Sequence, residues 1–461
     1  MDGPATGCFG TQRIFADLRL DRRLGAVFNA MARHPQGTLP QKLVGRGPLV
    51  GGYRMLNNPK VSHQAIIHSH RERCLERLRG YQGKVLLLHD TTVLDYSGLG
   101  VEGLGQVGGG HGRGLYAHHS LAVIPATRAV VGLMNQVLHV RACVPRGESK
   151  KARQARTNRE SRLWTQGIAD LPVMPPGVVV TDVSDRGSDI TEYLAYAVRC
   201  GRTFIVRSQH NRKLADGAED DDPQRQKLHD RLGALPAMDA YTLRVPNAAG
   251  GWRVARMALA WAPVEILPPR QARGVHGPEP LALWGVMARE VAAPQGQEPL
   301  AWVLLTNRPV ASAPQARAVV EDYACRWIIE DYHKAQKTGC GIQTLQMTTR
   351  HGLDNGIALL SVLAVHVLRL RCHARDEQTR QQPACRHEEP LKVQLAARAA
   401  RCAHWQTMTV WEFYLAVARL GGYVCNPRKR PPGWIILWRG YMRLEEMCQG
   451  VRLIRKRCVQ T

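Results

Sequence analysis

Residues 323–337, Tyr-Ala-Cys-Arg-Trp-Ile-Ile-Glu-Asp-Tyr-His-Lys-Ala-Gln-Lys, contain neither proline nor glycine and read as a helix. At about 100° per residue, Tyr323, Arg326, Glu330 and Lys337 fall within an arc of roughly 60°. A helix packed into a core shows an apolar stripe on its inner face. This stripe instead carries a phenol, a guanidinium, a carboxylate and an ammonium. Such a set suits a carboxylate held beside a polyanion.

The chain's charge points the same way. Lys and Arg outnumber Asp and Glu by 63 to 38 over 461 residues, a formal net charge of +25. That excess implies a polyanionic partner, nucleic acid or an anionic membrane; codon-driven arginine in a GC-rich genome is the bland alternative. The longest apolar run, Ile357 to Leu368, is interrupted by Ser361 and His366. It is shorter than the roughly 20 residues that span a bilayer, so a buried helix is expected and no membrane partner. The opening residues, Met-Asp-Gly-Pro-Ala-Thr-Gly, lack the basic and apolar regions of a secretory signal. Twelve cysteines are scattered with no CxxC pair. This argues against a zinc finger or a disulfide framework and for buried thiols in a reducing cytoplasm.

Along the chain, residues 1–70 read as helical and basic, with Asp17 opening one helix and Asn57-Asn58-Pro59 closing another. Lys84-Val-Leu-Leu-Leu-His-Asp90 reads as a strand buried on both faces and ending in a carboxylate. Strands are expected at 115–124 and 129–140, a charged helix over 144–165, and a second buried strand from Gly177 to the acids at 182 and 185. A helix at 190–200 and a strand at 203–207 follow. Residues 210–300 break the alternation: an acidic loop at 219–222 precedes strand-like runs at 240–245, 252–262 and 281–291, an expected all-β insertion. Core strand character returns at Ala301-Trp-Val-Leu-Leu-Thr306, and from about 351 the chain reads as helical and basic.

Asp90, Asp185 and Glu330 are candidates for one site. Asp90 and Asp185 are expected just past the ends of buried strands, and in an open α/β sheet such ends and a covering helix converge on one edge. Clustered carboxylates repel one another unless a cation neutralises them. In a chain that seeks DNA, that cation is most simply a pair of Mg2+ ions, with Mn2+ as a substitute. Two such ions stabilise the attacking and leaving oxygens of a phosphoryl displacement. Each acid also has an ordinary reading. Asp90 could end a strand, and Glu330 could pair with Arg326 or Lys334 at helical spacing. Asp182 competes with Asp185, and the strand period puts the two on opposite faces.

The motifs occur in order and carry a resemblance. His89-Asp90-Thr91-Thr92, after an apolar strand, resembles the first acidic motif of the IS-four family of insertion-sequence transposases. Asp185-Arg186-Gly187-Ser188-Asp189 resembles the second, Asp-Arg-x-x-Asp, and Tyr323, Arg326, Glu330 and Lys337 resemble the third, Y-x2-R-x3-E-x6-K. Phe204-Ile-Val-Arg207 resembles the strand whose arginine faces DNA in that family. Glu160-Ser-Arg-Leu-Trp164 and the segment from Pro432 to Gly440 are also similar, so the resemblance runs from about residue 10 to 445.

The resemblance implies an α/β fold. It would have a helical N-terminal DNA-binding domain (1–70) and a ribonuclease-H-like catalytic core (71–370) with a β-rich insertion at about 210–300. A helical C-terminal dimerisation region (371–461) would complete it. It implies a DDE triad of Asp90, Asp185 and Glu330 that holds the metal. It also implies DNA contacts by Tyr323, Arg326, Lys337 and Arg207, and a flipped base stacked on Trp302. Physical reasoning alone reads Trp302 as a strand core residue. The implied activity is cut-and-paste transposition through a hairpin intermediate, in a homodimeric synaptic complex on terminal inverted repeats and target DNA, in the bacterial cytoplasm on the nucleoid. A metal-dependent nuclease with the same core is the alternative, and a decayed, non-enzymatic DNA binder a further one.

Overall fold

The computed structural model describes residues 5–142, 147–149, 152, 156, 158–215, 226–246, 252–269, 279–375, 377, 379–424 and 432–458. The acidic loop at 219–222 and most of the charged stretch at 144–157 lie outside them.

A mixed sheet organises the α/β fold, with strands β1 (Gly83–Asp95), β2 (Gly105–Gln106), β3 (Arg113–Ile124), β4 (Ala129–His139), β5 (Val178–Ser184), β6 (Phe204–Arg207), β7 (Asp239–Pro246), β8 (Trp252–Ile266), β9 (Leu281–Val291) and β10 (Ala301–Thr306). The order is β2-β3-β1-β5-β6-β10-β9-β8-β7, with β4 also pairing β3. β1 runs parallel to β5 and β5 to β6; the other pairings are antiparallel. Val85 to Leu88 are buried as the apolar run requires, because β1 is central and covered on both faces.

Three expectations are corrected. First, Asp90 lies inside β1 rather than past its end. The parallel pairing with β5 stops at His89–Ser184, but the antiparallel pairing with β3 carries β1 on to Asp95. Second, the 210–300 segment is not all-β. Helix Leu228–Ala234 buries Leu228 and Leu232, one turn apart, against the sheet. The strands of this segment also extend the main sheet, since β9 pairs with β10 and β10 with β6.

Third, the 323–337 stretch is not one straight helix. Ala313–Ala324 ends at a tightened turn, Trp327–Lys334 follows, and Ala335–Gly339 is a π turn. At the junction the backbone bonds close after three residues, Arg326 N–H to Tyr323 and Ile329 N–H to Arg326, instead of four. In the π turn the Cys340 N–H reaches back to Ala335 at 2.7 Å. Lys337 therefore rides on a widened turn, and the 60° arc of an ideal helix does not describe it.

Of the N-terminal helices α1 (Leu18–Arg33), α2 (Leu39–Lys42), α3 (Arg46–Leu56) and α4 (His63–Leu78), α1, α3 and α4 pack on the long helix Arg350–Arg375 and α2 packs on α1. Asp17 caps α1 by accepting the Arg19 N–H at 2.9 Å. The expected boundary at 70/71 falls inside α4, and that at 370/371 inside Arg350–Arg375. Among the described residues, Arg350–Arg369 is the one stretch long and apolar enough to cross a membrane, and 78% of its apolar window is buried in the fold. The C-terminal helices Pro390–Ala399, Val410–Leu420 and Trp434–Cys458 share a core of their own around Val393, Phe413, Val417 and Leu444. Within the region expected to dimerise, Phe413, Tyr414, Ala416, Val417 and Ala418 are buried in this core. Gly440 lets two of these helices cross closely, since a side chain there would run into the Val417 carbonyl.

Candidate active site

Asp90 and Asp185 are the residues that follow the last β1–β5 pair, His89 with Ser184, so they leave the ladder side by side. Asp90 Oδ1 accepts the Thr91 N–H at 2.8 Å. Asp185 caps the short turn Arg186–Ser188 by accepting the Gly187 N–H at 2.8 Å. Trp164 lies against that turn, leaving no room for a side chain at Gly187. Glu330, in the first turn of Trp327–Lys334, accepts from Arg326 Nη2 at 2.8 Å, and Arg326 Nη1 stands 3.6 Å from Asp90 Oδ2. Asp90 and Asp185 thus lie where β5 ends beside the middle of β1, with Glu330 brought to Asp90 through Arg326. Among the described residues, no three His, Cys, Asp or Glu side chains form a ready-made metal cage; Arg326 occupies the space between Asp90 and Glu330.

Burial pushes the Asp90 carboxyl up to about 7 from its ordinary 3.8, and the charge of Asp185 pushes the same way. The Thr91 N–H and the Arg326 guanidinium oppose the rise, and Glu330 adds to it. Folded Asp90 therefore holds a proton that the unfolded chain releases. Its contribution to stability falls as pH rises from about 4 to about 7 and stays low above that. Asp90→Asn is expected to melt a few degrees above wild type at pH 8 and with it at pH 4, as read by calorimetry. A variant that melts lower than wild type at pH 8 would show that the carboxylate is not the strained group.

Two neighbouring acids are satisfied internally. Asp182, on the opposite face of β5, accepts His89 Nε2 at 2.9 Å and both Arg202 Nε and Nη2, at 2.5 and 2.7 Å. Burial works to raise its carboxyl, but the bonds from His89 and Arg202 outweigh burial and hold it below the usual range. Asp189 accepts the backbone N–H groups of Gln209 and His210 and the Arg212 guanidinium. It pins the loop after β6.

The remaining expected residues flank the acids. Tyr323 is buried, and its hydroxyl interacts with both Arg207 and Arg326. Trp302 is half-buried and packs edge-on to Tyr323 with ring centroids 5.3 Å apart. Arg207 donates to the Ala301 carbonyl at 3.2 Å. The Lys337 ammonium is half-buried, and burial lowers its pKa. Asp322, just before Tyr323, pairs with Lys84 of β1 at 2.8 Å and with Arg308 at 3.2 Å, which fixes the helix over the strand. Sequence reasoning missed the buried histidines His118 and His119 and the half-buried His333 beside the site. The signal available for His333 was its position three residues after Glu330, on the same helical face.

A second charged feature lies in the N-terminal helices. A groove of about 700 Å³ between α1 and α3 is lined by Arg19, Arg23, Arg46 and Arg54, with Asp17 paired to Arg19 at 3.2 Å on the same lining. Four guanidinium-bearing residues around one open groove suit a phosphate backbone. These helices fall within residues 12–61, which match the transposase DNA-binding family, and that match supports a transposase with DNA as its partner.

Proposed function

We propose that the chain is a DDE transposase of the IS-four kind, cutting at the terminal inverted repeats of an insertion sequence and joining the ends to target DNA. The observation that carries this reading is the closeness of Asp90 to both Asp185 and Glu330, with Arg326 bridging Asp90 and Glu330, in a chain whose residues 12–61 match a transposase DNA-binding family. The order β4-β3-β1-β5-β6, antiparallel on one side of β1 and parallel on the other, supports a ribonuclease-H-like core.

The donor set fits Mg2+ in its chemistry. Asp90 and Asp185 are hard oxygen donors whose charges already oppose each other, and a divalent cation relieves that opposition. Asp90, Asp185 and Glu330 would hold it, with Glu330 released from Arg326. Bound Mg2+, or Mn2+ in its place, would supply activation of the attacking oxygen and stabilisation of the leaving one. Arg326, once freed, neutralises phosphate charge, and Arg207 and Lys337 hold the strand on either side. Trp302, backed by Tyr323, offers an aromatic face to a flipped base, which a hairpin intermediate requires. Two ends need two active sites, so a homodimer is the simplest assembly. The place of action is the bacterial nucleoid, in the cytoplasm.

A nuclease with the same core is the second reading, favoured by the acids alone; the Trp302–Tyr323 pair favours transposition. The two part in an assay on a plasmid carrying the gene with its flanking DNA. Transposition predicts cuts confined to the two ends of the element and a hairpin-ended excised fragment on a denaturing gel. Cuts scattered over the plasmid, with no hairpin, would leave the nuclease.

A further inference from the structure

Behind the catalytic helix lies a buried polar network that the carboxylates do not use. His119 on β3 has both ring nitrogens engaged. Its Nε2 faces two amide nitrogens, Gln136 Nε2 at 2.7 Å and Gln336 Nε2 at 3.1 Å. The orientation of Gln136 is set by its oxygen, 2.9 Å from His63 Nε2, and by its nitrogen, which donates to Ser361 Oγ at 2.7 Å. Gln336 Nε2 also lies 2.8 Å from Ser361 Oγ and 3.0 Å from the Tyr332 hydroxyl, three neighbours for two hydrogens, so it is Gln136, whose orientation is set, that decides the ring. The Gln136 amide nitrogen only donates, so His119 Nε2 accepts and the ring proton sits on Nδ1.

That assignment fixes the next ring. His119 Nδ1 lies 3.1 Å from His333 Nε2. The donor is His119, so His333 Nε2 accepts and a neutral His333 carries its proton on Nδ1. Burial lowers the pKa of both rings, that of His333 to about 3, with Lys337 and Arg326 pushing the same way. His333 Nδ1 has no hydrogen-bond partner among the described residues. It stands one turn after Glu330 and about one turn before Lys337, between two cationic side chains. A neutral donor there suits an anionic oxygen.

We infer that His333 donates from Nδ1 to a phosphate oxygen of the DNA strand at the carboxylates, and that His119 is a positioning residue that holds His333 in the required tautomer. This rests on the reading that the site acts on DNA.

The test compares His333→Ala and His333→Asn, whose amide nitrogen takes the place of Nδ1. Binding of a short fluorescein-labelled duplex is measured across a salt series, together with Mg2+-dependent nicking of a supercoiled plasmid. His333→Ala should weaken binding or nicking about ten- to a hundredfold, the loss of one hydrogen bond to a charged group. The slope of affinity against salt should not change, because a neutral donor displaces no counterion. His333→Asn should restore most of the loss. His119→Ala should impair wild type but add little in the His333→Asn background, whereas a merely structural role would be additive. Normal function in His333→Ala, equal damage in His333→Asn, or a slope reduced by about one as for an imidazolium contact would each overturn the inference. A wild-type protein that does not nick with Mg2+ would overturn the parent reading and this one with it; normal nicking that ignores His333 overturns this one alone.

Discussion

Alanine at Asp90, Asp185 or Glu330 is expected to lower DNA cleavage by several orders of magnitude while duplex binding changes little. The three carboxylates crowd the point where β5 ends beside β1, and none is needed by the fold in the way Asp182 or Asp189 is. If they jointly hold the cation, removing any one removes the charge balance on which both attacking and leaving oxygens depend, so the losses will not add. Binding should survive if, as proposed, the duplex is gripped elsewhere, by the arginine-lined groove of the N-terminal helices and by basic side chains around the site. Each variant is read by plasmid nicking and by anisotropy on a labelled duplex. One that nicks at the wild-type rate would remove its residue from the site.

Asp182→Ala should fail differently, by unfolding. Its carboxylate is sealed from solvent and is the partner of the buried His89 and of Arg202, whose side chain is 22% exposed. Breaking a buried pair costs about 3–5 kcal/mol, and the partial exposure of Arg202 puts the loss toward the lower figure. Thermal melting should therefore drop by several degrees, with cleavage per folded molecule retained at low temperature. A variant that melts normally but does not cleave would make Asp182, not Asp185, the second ligand of the site.

The contrast between these two acids shows what could be read from residues alone. Asp182 and Asp185 lie three apart on a strand, and the strand period separates their faces. Which face holds the site depends on Arg202 and on β1, and neither is local. β1 was legible because its apolar run is core wherever it falls, whereas β5, expected to be buried throughout, exposes Val179 and buries only Thr181 to Ser184, and β10 buries only Leu304 to Thr306. The extension of β1 beyond Asp90 was not legible, since it depends on the longer reach of β3.

The break in the signature helix was equally hidden. Residues 323–337 have sound helical propensity, and the tightened turn sits where Asp322 is tied to Lys84 and Arg308, residues remote in sequence. Helix Leu228–Ala234 escaped notice because only Leu228 and Leu232 announce an apolar face. The network around His119 joins residues from β3, β4, helix Trp327–Lys334 with the π turn after it, and the long buried helix, so no stretch of sequence contains it.

The central claim, one cation-dependent phosphodiester site formed by Asp90, Asp185 and Glu330, is tested most directly by the metal requirement of plasmid nicking. Purified protein should nick supercoiled DNA with Mg2+ or Mn2+, and not with EDTA or with Ca2+ alone. The activity should vanish in Asp90→Ala, Asp185→Ala and Glu330→Ala under both active metals. Equal nicking in EDTA, or metal-dependent nicking that survives in any of the three variants, would contradict it.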